Sequence, residues 1–206
     1  MTVHPESPIL LASLDALAAL PAEAVDWVER LHASVGSLAA SIEARLGPRL
    51  ACARGCAGCC VDDLGVFEIE AAVIVRHHRA LLEAENAGPP GACALLDAEG
   101  ACRVYAHRPY VCRTQGLPLR WIEAGDDGAP VEVRDECPLN GVAGPPIEDL
   151  DPGDCFAIGP FEDRLAAMQA RVDRGEGRRV ALRALVQRRA PGAGGDAAAR
   201  RTLASR

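Results

Sequence analysis

The sequence predicts a mainly α fold, with helices flanking an irregular cysteine-rich metal-binding centre and a short β-hairpin. Three observations carry this prediction. Apolar residues recur at three- and four-residue steps in segments on both sides of the centre. Eight of the nine cysteines fall between Cys52 and Cys137. Strand-like alternation is found around one acidic turn, where Trp121-Ile122-Glu123 and Val131-Glu132-Val133 flank Gly125-Asp126-Asp127-Gly128.

Residues 1–49 form an N-terminal helical segment. Between residues 21 and 46, Val28, Leu31, Val35, Leu38 and Ile42 mark one apolar stripe, with Glu29, Arg30, Glu43 and Arg45 elsewhere, and Gly47-Pro48 stops it. The stripe is expected to pack on its own domain. Residues 50–160 form the cysteine-cluster domain, with a second helix over 68–85 carrying Ile69, Val73 and Leu81. His77 and His78 lie near its middle, about 100° apart on a regular helix, so both are not expected to face one site and are read as surface or core histidines. Residues 161–190 read as two C-terminal helices, 161–174 and 178–189, broken at Gly175-Glu176-Gly177, and residues 191–206 read as a flexible tail.

Charge and composition narrow the function classes. The chain has a net charge of −7, and every basic residue is Arg. The first 160 residues are acidic and the last 46 basic, but no aromatic follows Phe161 to stack on bases. Nucleic acid is therefore not an expected partner; a metal ion or cluster is, and a protein partner stays open. No run is long enough to span a bilayer, and the first residues lack the basic start of a secretory signal, so the expected location is cytoplasmic. In that reducing compartment, clustered thiols serve metals or catalysis more often than disulfides.

The candidate metal ligands are Cys52, Cys56, Cys59, Cys60, Cys93, Cys102, Cys112 and Cys137. Cysteines three or four residues apart return to one side of a tight turn. Adjacent Cys59 and Cys60 diverge, so they serve two centres, or one is a nearby thiol. Asp97 to Gly100 reads as a turn that brings Cys93 and Cys102 together, and Pro109 as the start of a helix whose opening turn holds Cys112 and favours its thiolate. Arg54, Arg103, Arg108 and Arg113 are placed to offset thiolate charge. Four-thiolate sites accept zinc or an iron-sulfur cluster, and spacing does not separate them. Cys155 lies outside these motifs and reads as a buried structural thiol.

The pattern Cys52-x3-Cys56-x2-Cys59-Cys60, then Cys93-x-Leu95-Leu96-Asp97-x-x-Gly100-x-Cys102-x-Val104-Tyr105-x-x-Arg108-Pro109-x-x-Cys112-Arg113, then Cys137-Pro138, resembles bacterial cysteine-cluster proteins of the YkgJ type, the CxxCxxCC family of zinc- or iron-chelating domains. The resemblance spans roughly residues 50–140, and Leu95 stands where an aromatic is common. It implies bound zinc or an iron-sulfur cluster, with the biochemical role undefined. A related flagellin lysine methylase extends the implication to a small metalloenzyme of protein methylation or redox chemistry. Tyr105, Asp97 and His107 are the nearest acid-base candidates for such an enzyme. Cys52-x3-Cys56-x2-Cys59 also has the spacing of a radical S-adenosylmethionine signature, but the barrel pattern of those enzymes is missing.

Overall fold

The computed structural model describes residues 9–10, 13–84, 90–140 and 144–186. The predicted tail over 191–206 lies outside the described residues, as do the end of the second predicted helix and residues 187–189. Five helices and two small sheets make up the described fold, which is mainly helical. Among the described residues, no helix is long and apolar enough to cross a membrane.

A single extended pair, β1 (Ile9–Leu10), precedes the short helix α1 (Leu14–Ala18), which Ser13 caps by accepting a hydrogen bond from the Ala16 amide. The long helix α2 (Ala22–Leu46) follows and stops at Gly47, whose φ of 33° a side chain would resist. Val25, Val28, Leu31, Val35, Ala39 and Ile42 form its buried stripe; Leu38 lies at the edge, exposed, and Ala39 takes its place. β2 (Gly65–Phe67) runs directly into α3 (Glu68–Ala84). Every residue from Glu68 to Val75 is buried, so α3 enters the fold as a central helix surrounded on all sides rather than an amphipathic one.

The buried start of α3 is satisfied by α5 (Gly159–Asp173) and the segment after it: the Gln169 side chain accepts from the Ile69 amide at 3.1 Å, and Arg178 Nε, beyond the helix, donates to Glu68 at 2.8 Å. Residues 178–189, expected as a helix, instead form the strand β6 (Arg179–Ala181) and a 3-10 turn over Leu182–Leu185. The cause is non-local. β6 pairs in parallel with β1 and antiparallel with β2, placing Val180 against Val66, and Val180 becomes fully buried. The predicted hairpin is present as β3 (Leu119–Ala124) and β4 (Pro130–Asp135), with β5 (Phe156–Ala157) added in parallel to β3. Its acidic turn is closed by the Gly125 amide on Ala129 O at 2.8 Å and by Asp127 accepting from the Ala129 amide.

Two hydrophobic clusters meet at α3. The first joins the α2 stripe to Ile69, Val73, Tyr110, Phe156 and Leu165, where Tyr110, Phe156 and Phe161 concentrate three of the few aromatic rings. Burying Phe156 completely stabilises the fold by roughly 2–3 kcal/mol. The second contains Ile74, Leu82, Ala94, Leu95, Val104, Val180 and Leu182, and Cys93, Cys102 and Cys112 pack against it.

Candidate metal centre

The loop between α2 and β2 carries the first four cysteines on two successive turns, closed by the Cys56 amide on Ala53 O and the Cys60 amide on Ala57 O, each at 3.0 Å. The next thiol is tied to it directly, because the Cys93 amide donates to Cys60 O at 2.9 Å. The predicted turn between Cys93 and Cys102 is present: Leu96 bridges Cys102, and Asp97 Oδ1 accepts from the amides of Glu99 and Ala101. Gly100, at φ 76°, lies so close to the first loop that a Cβ would sit 3.3 Å from Gly55 O.

Cys112 sits on α4 (Tyr110–Thr114), which begins one residue after Pro109. The Tyr110 amide at its start donates to Glu70 Oε1 at 2.8 Å, and His32 Nε2 contacts the same oxygen at 3.0 Å. His32 and Glu70 are both buried. This pair was missed in the sequence; the signal was a carboxylate inside the apolar run around Ile69 and Ala71.

Cys137 reaches the site through Asn140. That side chain accepts from the Ala51 amide at 2.9 Å and donates to Gly116 O at 2.8 Å, while its own amide donates to Cys137 O. Arg49 reinforces the corner by pairing with Glu136 and Pro145 O. Gly116, at φ 89°, is pressed onto Cys52: a Cβ there would lie 2.8 Å from Cys52 Cβ and 3.2 Å from its sulfur.

Electrostatic coupling links the eight thiols in two overlapping groups that cut across sequence order. Burial pushes the Cys60 thiol up to about 12, with Cys59, Cys93 and Cys102 adding to the effect. Burial also raises Cys112, followed by Cys93, Cys102, Glu70 and Cys60, and raises Cys102, where Arg108 and Arg103 oppose it. Cys52 is raised by burial, then by Cys56, Cys59 and Cys137, with Arg108 opposing. Cys60, Cys102 and Cys112 thus form an inner group with Cys93, and Cys52 an outer one with Cys56, Cys59 and Cys137, while Cys59, which also acts on Cys60 and hydrogen-bonds with it, joins the two. The start of α4 does not favour the Cys112 thiolate as expected, because burial among other thiols outweighs one short helix turn.

Among the described residues, no three His, Cys, Asp or Glu side chains converge closely enough to hold a metal ion in this arrangement. The donor type nevertheless suits a soft metal: all nine cysteines are free thiols, and eight lie in the two overlapping groups. Such thiols must lose their protons as a metal binds. Arg108 acts on both groups while its guanidinium covers the Tyr105 ring at 3.9 Å; Arg103 lies in the same loop, Arg113 is on α4, and Arg54 is exposed. Cys155 is buried apart from both groups, beside Arg134 and Arg120.

The histidines depart from the expected pattern. α3 is kinked at His78 (φ −131°, ψ 19°), and the kink lets adjacent residues meet one partner. His77 stacks on His107 at 3.8 Å, while His78 Nε2 lies 2.9 Å from His107 Nδ1; His77 also contacts Glu29 at 2.7 Å. Of the acid-base candidates, Asp97 closes its turn, His107 joins this stack, and Tyr105 is 62% exposed.

A helical frame presenting thiols on irregular loops defines a cysteine-cluster domain suited to soft metals. Residues 51–132 match the model of the CxxCxxCC family, described as "Putative zinc- or iron-chelating domain". The match covers less than half of the chain and ends before Cys137, whose turn Asn140 ties to the backbone of Ala51 beside Cys52. No curated protein and no solved structure matches the chain.

Proposed function

We propose that the chain is a metal-binding protein that holds zinc or an iron-sulfur cluster in two thiolate sites, one in each quartet. Taking Cys60, Cys93, Cys102 and Cys112 as one quartet and Cys52, Cys56, Cys59 and Cys137 as the other supports this reading, since four thiolates complete a tetrahedral zinc site or anchor one cluster. On this assignment adjacent Cys59 and Cys60 serve different ions, which avoids placing vicinal thiolates on one. Free thiols also accord with a reducing cytoplasmic setting.

The test is metal and acid-labile sulfide analysis of protein purified without air, with a visible absorption spectrum. Zinc near two equivalents without sulfide, or iron with matching sulfide and a brown colour, supports the reading and identifies the metal. Protein that takes up neither after reconstitution rejects it.

A further inference from the structure

We infer that the outer edge of β4 pairs with the same edge of a second copy of this chain, antiparallel and centred on Val133. Such pairing joins two three-stranded sheets into one continuous sheet. Among the described residues the other edge strands, β1, β2 and β5, are only two, three and two residues long. β4 runs for six residues in unbroken register with β3, from Pro130 to Asp135, and has no neighbour on its other side. Edges of that length are commonly blunted by a bulge, by Lys or by a mid-strand Pro. β4 has no bulge and no Lys, and its one Pro occupies the first position.

The phase of the hairpin decides which backbone groups are free. The Gly125 amide donates to Ala129 O, so residues in step with Ala129, namely Val131, Val133 and Asp135, turn their N–H and C=O toward β3. The far side of β3 agrees, since Pro118 O and Arg120 O accept from the amides of Phe156 and Ile158. Glu132 and Arg134 therefore turn both backbone groups outward, where they meet no partner among the described residues. Twofold pairing centred on Glu132 or on Arg134 sets like charges directly opposite, which is destabilising. Centring on Val133 sets Glu132 against Arg134 of the second copy and Arg134 against its Glu132, each pair exchanging both backbone hydrogen bonds. Within the chain Glu132 already lies between Arg120 at 3.1 Å and Arg134 at 2.7 Å, so the pairing extends an existing row of alternating charge. On the opposite face Val133 meets Val133 of the second copy, with Val131, 48% exposed, diagonal to it. The order Val131-Glu132-Val133-Arg134 is thus complementary to itself, which favours a second copy over an unrelated strand.

One short edge buries less surface than a standard interface, so the expected dimer is weak, with a Kd on the order of 100 μM. The experiment is sedimentation equilibrium of the full-length chain up to about 1 mM, reduced and without air so that no intermolecular disulfide forms. The wild-type chain passes from monomer to dimer across that range. Glu132→Pro removes an outward amide and spares the bonds to β3, so the circular dichroism spectrum holds while association weakens about tenfold or more. Glu132→Arg leaves the backbone intact and sets Arg against Arg134 of the second copy, with a loss of similar size. A wild-type chain that stays monomeric at about 1 mM, or a dimer that either folded variant keeps at full strength, overturns the inference.

Discussion

Cys60 and Cys59 are neighbours in the chain, yet Cys60 is half-buried and Cys59 exposed. The amide of Cys93 donates to Cys60 O, and Cys93 packs with Cys102 and Cys112 against buried Leu95 and Val104, whereas Cys59 and Cys52 are exposed. The difference teaches that a cysteine motif is not the unit of a site. The fold redistributes thiols according to which loops the hydrophobic clusters can hold, and the same residue type becomes structural in one place and accessible in another.

The strongest way to break the comparison is Cys112→Ser. If the inner quartet organises the core, this variant loses one of two metal equivalents and about 3 kcal/mol or more of stability, read by denaturant unfolding of the loaded protein. A variant as stable as the parent would place the inner quartet on the same footing as the outer. Glu70→Ala should cost about 2 kcal/mol, because it strands His32 and the Tyr110 amide in the interior, and it should weaken the inner ion with no change at the outer one. Equal loss from both quartets would remove the distinction.

Smaller effects sharpen the outer side. Gly116→Ala forces a Cβ into Cys52 from a positive-φ position, so it should lower outer metal content and cost about 1–2 kcal/mol. Cys56→Ser should lower metal content by one equivalent with about 1 kcal/mol lost; unchanged content and melting temperature would reject Cys56 as a ligand. The smallest effect concerns pH. Burial, reinforced by His77, holds His78 and His107 below their ordinary value of 6.5. Their contribution to stability is thus present above about pH 6.5 and is lost as pH falls through the lowered values in the fold. His107→Gln should flatten the dependence of melting temperature on pH below 6.5, with imidazole titration by NMR identifying the residues.

Much of the frame was legible because it is periodic. The stripe from Val28 to Ile42 and the alternation around Asp126-Asp127 are local patterns, and both elements stand where the pattern placed them. The strand at Val180 was not legible, since its spacing of apolar residues suits a helix and its strand character comes from β2, more than a hundred residues away. The histidine stack was hidden for a related reason: regular helix geometry separates His77 from His78, and the kink that reunites them has no signature in either residue. The candidate cysteines were visible as residues, but which loops bring them near one another depends on packing, such as the Cys93 amide on Cys60 O, which spacing does not encode.

The peptide bond between Cys59 and Cys60 has a consequence for loading order. Adjacent Cα atoms are about 3.8 Å apart and a sulfur-bound ion lies within about 5 Å of its Cα, so ions bound by these two sulfurs would lie within about 14 Å of each other. At that distance and an effective dielectric constant of about 20, each unit of charge changes the neighbouring site's free energy by roughly 1.2 kcal/mol, about sevenfold in affinity. Two anionic quartets so close repel until one is filled. The first ion therefore relieves its own thiolates and also their neighbours, while the second meets a less anionic surrounding. Filling becomes a shared electrostatic event transmitted through a single backbone link.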